Sequence, residues 1–122
     1  MQGFRQLIVW QKAHELTIEI YEAIAQFPRE ELYGLTSQIK RAAASIGANI
    51  AEGCGRGSDA DFARFLLISM GSASELEYHL LLARDLGFLP KDVYERLNAR
   101  TTEVKRMLAS LISRTRTRSV AG

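Results

Sequence analysis

The chain has 122 residues, 47% of them apolar and 25% charged, with a formal net charge of +2. These values describe one domain large enough for a continuous core, and they exclude intrinsic disorder. No apolar run reaches the roughly 18 residues of a membrane span, and the single cysteine, Cys54, excludes an internal disulfide. The first residues lack the pattern of a secretory signal, and Gly3 stands one place too late for myristoylation. The expected location is the cytoplasm. Charge is uneven: residues 1–61 carry 6 Lys/Arg against 8 Asp/Glu, and residues 62–122 carry 10 against 6. That local basic excess permits a polyanionic partner without demanding one.

Residues 6–27 read as the first helix, with Trp10, Ala13, Thr17, Ile20, Ile24 and Phe27 at bundle spacing. A second row, His14, Ile18, Tyr21 and Ala25, is expected to widen its buried face. Pro28 breaks the helix, one helical turn fits residues 30–33, and Thr36 or Ser37 can cap the next helix. That second helix, centred on residues 38–53, separates into three faces. Leu35, Ile39, Ala42, Ala43, Ile46 and Ile50 form an apolar stripe; Gln38, Arg41, Ser45, Asn49 and Glu52 form a polar line; Ala44, Gly47, Ala48 and Ala51 leave a small side. Gly53 to Gly57 reads as a flexible corner.

Ser58 is an N-cap candidate, with Asp59 and Asp61 in the first turn of a third helix that reaches about Leu86. Phe62, Leu66, Ser69, Ala73, Leu76, Leu80 and Ala83 keep a 3-4 seam. Phe65, Ile68, Leu82 and Leu86 add a second apolar row, with Leu67, Tyr78 and Leu81 further round. This is more apolar surface than one side of a monomeric bundle can bury. Gly87 suits a C′ position and Pro90 the first turn of a fourth helix, which is expected to run to about Ser113. Val93, Leu97, Val104, Leu108, Leu111 and Ile112 face inward in it, and Arg100 and Thr101 interrupt the seam. The pattern predicts an all-α, antiparallel up-down-up-down four-helix bundle over residues 1–113, followed by a flexible basic tail over residues 114–122.

The residues offer several candidate sites. The polar line Gln38, Arg41, Ser45, Asn49, Glu52 could face a ligand, but it more simply fixes register inside or between bundles, with Arg41 paired to Glu75 or Glu77 and Asn49 bound to loop backbone. His14 and His79 are the only histidines, and Glu75 stands four residues before His79, so paired Glu-x-x-His metal motifs are lacking. No metal ligand, cofactor or catalytic residue is expected. Cys54 has no partner cysteine for zinc. Gly53, Gly55 and Gly57 lack the preceding strand and following Lys of a phosphate loop, although Arg56 between them can add to a basic surface. Lys105, Arg106, Arg114, Arg116 and Arg118 are the candidate nucleic-acid contacts, through phosphates and without sequence readout.

Trp10, Phe27-Pro28, Tyr33-Gly34-Leu35, Gln38, Arg41, Ser45-Ile46, the run from Asn49 to Gly53, Gly71-Ser72 and Glu75-Leu76-Glu77 together resemble the bacterial four helix bundle family, also called 23S rRNA intervening-sequence proteins. The likeness covers about residues 4–113. It implies an antiparallel four-helix bundle assembled as a ring-like homopentamer, with no enzymatic activity. The family is also similar to the accessory variability proteins of diversity-generating retroelements, which bind nucleic acid and a reverse transcriptase. The expected function is therefore a non-enzymatic oligomeric assembly or adaptor with possible RNA or DNA contact. The alternative is a protein-interaction scaffold, such as a reverse transcriptase accessory, with no nucleic-acid role of its own.

Overall fold

Four α-helices account for most of residues 3–121, the part of the chain described by the computed structural model: α1 (Ile8–Ile24), α2 (Leu35–Cys54), α3 (Asp59–Asp85) and α4 (Lys91–Ala121). Short 3-10 turns precede α1 and α2, at Phe4–Gln6 and Arg29–Glu31. Each helix packs on its neighbours in sequence, and α4 closes the circuit on α1. Cross-links between neighbours run in opposite order along each pair. Lys12 meets Glu103 at 3.9 Å while Glu19 meets Arg100 at 3.0 Å; Glu77 meets Lys105 at 2.9 Å while Asp59 meets Arg118 at 3.6 Å. The helices are thus antiparallel, and the links from α2 to α3 and from α3 to α4, of four and five residues, are too short for any other arrangement.

The stripe expected on α2 is buried throughout, from Leu35 to Ile50. All seven seam residues of α3 are buried as well, because this helix packs closely on both α2 and α4. Two hydroxyls, one buried and one half-buried, bind the backbone of α2. Ser69 donates to the Ile46 carbonyl at 2.8 Å, and Thr17 lies 3.0 Å from the Ala43 carbonyl, each tying a helix to the backbone of α2. Ser58 Oγ accepts from Asp61 N at 3.1 Å and caps α3 as its sequence suggests. At the other end of α3, Gly87 has φ +81. There Gly87 N donates to Arg84 O and Phe88 N to Ala83 O, both at 2.9 Å, a Schellman closure that needs a left-handed residue.

The structure corrects several expectations. On α1 the buried residues are Val9, Ala13, Leu16, Ile20 and Ile24, so Leu16 and Val9 displace Trp10 and Thr17 from the seam. His14, Ile18, Tyr21 and Ala25 are exposed, not buried, because the helices that pack on α1 are α2 and α4, and this row turns away from the core they share. Neither Thr36 nor Ser37 caps α2: the helix begins earlier, and the Glu31 carboxylate accepts from Leu35 N at 3.2 Å. Gly53 belongs to α2 and is buried, which moves the corner to residues 55–58. Thr101 does not interrupt the seam of α4. It is fully buried and donates to the Leu97 carbonyl at 2.8 Å, while Arg100 turns out to Glu19. The segment from Arg114 onward continues α4 to Ala121, with Thr115 fully buried, where a flexible tail was expected. Arg, Thr and Ser lack apolar periodicity but do not break a helix once it is anchored by packing.

Candidate functional site

The starts of α1 and α3 and the ends of α2 and α4 lie at one end of the bundle, and there the structure forms two contiguous clefts. One, of about 510 Å³, lies between the start of α1 and residues 106–114 of α4; Leu7, Val9, Met107 and Leu111 line it with Arg106 and Arg114. The second, of about 670 Å³, shares Leu7, Leu111 and Arg114 and extends to the α2–α3 corner, where Arg56, Ser58, Asp59 and Arg118 stand. Along α4, Arg106, Ser110, Arg114 and Arg118 follow one another at intervals of four residues. Each step advances only about 40° round the helix, so the four make one slowly winding stripe.

The five candidate nucleic-acid residues are therefore not one patch. Arg106, Arg114 and Arg118 line the clefts. Lys105 and Arg116 fall on a different face of α4, about three turns apart. Lys105 is held by Glu77 at 2.9 Å. Within the clefts, Arg118 pairs with Asp59 at 3.6 Å and Arg56 with Glu52 at 3.7 Å. Arg114 Nη1 donates to Ser110 Oγ at 2.9 Å, and neither Arg114 nor Arg106 has a carboxylate partner among the described residues. These two arginines carry the uncompensated charge of the site. The sequence carries the signal for them in their spacing, since residues 106 and 114 lie on one side of a helix and residues 105 and 116 on another.

The polar line of α2 runs beside α3. Ser45 Oγ lies 2.8 Å from Ser72 Oγ, and Asn49 Nδ2 donates to both the carbonyl and the hydroxyl of Ser45 at 2.9 Å. Asn49 therefore binds its own helix, not loop backbone. Arg41 donates to Gln38 at 3.5 Å, where pairing with Glu75 or Glu77 was expected, and Glu52 turns to Arg56. Only the centre of the line, Ser45 and Asn49, is half-buried; Gln38, Arg41 and Glu52 are exposed.

The small side of α2 forms a third, shallower groove of about 310 Å³ with α1. Ala44, Gly47, Ala48 and Ala51 face Trp10, His14 and Thr17 across it. The Trp10 and His14 rings stack at 4.9 Å with 9° between their planes. Ile18 and Tyr21 continue the same exposed face of α1 (49% and 42%). On α3, Leu67, Ile68 and Tyr78 are also exposed (42%, 43% and 57%). Burial pushes the Cys54 thiol above its ordinary pKa, which disfavours the nucleophilic thiolate. No group of three metal-ligating side chains occurs among the described residues, and no helix among them is long and apolar enough to cross a membrane.

Comparison with known proteins agrees with this architecture. A solved structure of a protein with unknown function from the S23 ribosomal protein family of Bacteroides thetaiotaomicron aligns with a TM-score of 0.78 and 32% sequence identity, covering 86% of this chain and 98% of that one. No curated protein matches the chain. The family model described as 23S rRNA-intervening sequence protein matches residues 5–110, a span that holds nearly all of the bundle core. The chain belongs to the 23S rRNA-intervening sequence protein family.

Proposed function

We infer that this protein is a non-enzymatic, cytoplasmic assembly module that associates into a ring-like homopentamer and contacts RNA or DNA through its basic end. The observation that carries the nucleic-acid reading is the α4 stripe, which brings Arg106, Arg114 and Arg118 to two contiguous clefts with Arg56. Phosphate contact at such a surface is insensitive to sequence and weakens as salt rises. Support for assembly comes from the exposed apolar rows on α1 and α3, which a neighbouring copy would cover. Repetition round a ring multiplies two free arginines into a continuous basic rim.

A mobility-shift titration at low salt tests the first part. A shift at micromolar protein is expected, and the double variant Arg106→Ala/Arg114→Ala should weaken it by on the order of tenfold, at about 1 kcal/mol or less per phosphate contact. No shift at micromolar concentration would sink the nucleic-acid reading. Light scattering after size exclusion tests assembly, and a monomer of 13.6 kDa would end that reading.

The alternative, a protein-interaction scaffold such as a reverse transcriptase accessory, draws on the opposite end of the bundle. Tyr33 is 93% exposed there, next to Leu32, and Leu86 is exposed at the same end (49% and 53%). Three large apolar side chains in water favour a protein partner at that end. Under this reading the arginine variants leave partner binding intact, whereas Tyr33→Ser reduces it in a pull-down.

A further inference from the structure

The cleft between α1 and α4 is more apolar than phosphate contact requires. Leu7, Val9, Met107 and Leu111 make its floor, and Ile8 stands 62% exposed at its edge. Arg106 and Arg114 rise from one wall about 12 Å apart along the axis of α4, with Ser110 between them. A duplex keeps its bases stacked inside and offers mainly phosphates and sugars to a basic surface. It would satisfy the arginines while covering an apolar floor with nothing apolar. An unpaired nucleotide supplies both halves of the match: negative charge for the rim, and a flat base face for the floor. The Met107 thioether adds a polarizable group suited to aromatic rings. The adjoining cleft shares Leu7, Leu111 and Arg114, but its Arg56 and Arg118 already hold Glu52 and Asp59, so the free charge lies in the first cleft.

We propose that this cleft takes unpaired nucleotides of single-stranded nucleic acid, with bases over Ile8 and Met107 and phosphates on Arg106 and Arg114. The inference rests on the nucleic-acid reading above and adds the strand state that the site selects. Ile8 is the discriminating residue, because it is exposed, sits at the cleft edge and carries no charge. Changing it alters the apolar part of the match and leaves the phosphate part alone.

The test is fluorescence anisotropy with labelled oligonucleotides of about twelve nucleotides, a length within the site sizes of single-strand binders, as single-stranded RNA, single-stranded DNA and the matching DNA duplex. The full chain should bind either single strand at least about tenfold tighter than the duplex. Ile8→Ser should weaken single-strand binding by about fivefold and leave duplex binding within about twofold, while Ile8→Trp should tighten single-strand binding by offering a stacking surface. Arg114→Ala should weaken both strand states. Equal affinity for single strand and duplex, or single-strand binding unchanged by both Ile8 variants, would overturn the proposal and leave general phosphate contact standing. Absence of binding to every oligonucleotide would overturn both. Circular dichroism melting of the Ile8 variants confirms that the fold is retained.

Discussion

Leu76→Ala is expected to lower the unfolding free energy by about 2–5 kcal/mol, enough to remove a large part of the stability of a domain this size. Leu76 is fully buried in the middle of α3, the helix that packs most closely on two neighbours. Truncation removes side-chain atoms from water-excluded packing and leaves a cavity that three helices cannot all move to fill. Urea unfolding followed by circular dichroism measures this as a lower midpoint with an unchanged slope. The control is Ile68→Ala on the same helix, 43% exposed in one copy. It should change the midpoint of the isolated fold by no more than about 0.5 kcal/mol. If Ile68 lies under a neighbouring copy, its loss appears instead as a shift toward smaller species in size exclusion. A large midpoint loss for both variants at equal oligomeric state would contradict the burial assigned to α3.

The second large effect is expected at Gly53. Replacing a helical glycine by alanine ordinarily stabilises by up to about 1 kcal/mol. At Gly53 the sign should reverse. A Cβ there would stand 2.9 Å from Phe62 Cδ1 and 2.9 Å from Phe65 Cβ, and the second of these atoms cannot move without the backbone of α3. Overpacking of this kind costs about 1–3 kcal/mol, so a net loss is predicted for Gly53→Ala and a much larger one for Gly53→Leu. Gly57→Ala is the reference, since a Cβ there meets nothing within 4 Å. Thermal melts of the two alanine variants should differ in that direction; a stabilised Gly53→Ala would show that α2 and α3 are free to separate at this corner.

Gly53 also illustrates what was legible in the sequence. Its residue type marked a special position, but the reason is close helix approach and not a turn, and only the neighbouring phenylalanines reveal that. The seam of α3 was fully legible because a helix packed on both sides keeps one uninterrupted 3-4 pattern. On α1, two overlapping stripes share Ala13, Ile20 and Ile24, and periodicity alone cannot rank them. Packing chose the one containing Val9 and Leu16. The cap of α2 was missed because its acceptor, Glu31, comes from a preceding 3-10 turn and not from the usual N-cap position. The extension of α4 past Ser113 carried no apolar signal apart from what packing makes of Thr115. The basic site was half legible. Its residue types were recognised, but their division between two faces, and the apolar floor beneath Arg106 and Arg114, required the helices to be in place.

The pairing state of those arginines makes ionic strength a ruler. Arg118 and Arg56 already hold carboxylates, Asp59 and Glu52, so each copy offers two side chains, Arg106 and Arg114, that can release condensed counterions without first breaking a pair. For a single strand the logarithmic salt slope is about −0.7 per neutralised phosphate, which gives about −1.4 for one copy. A strand lying across two copies should give about twice that value. The slope would therefore count how many copies of the chain one bound strand touches, and would do so in solution.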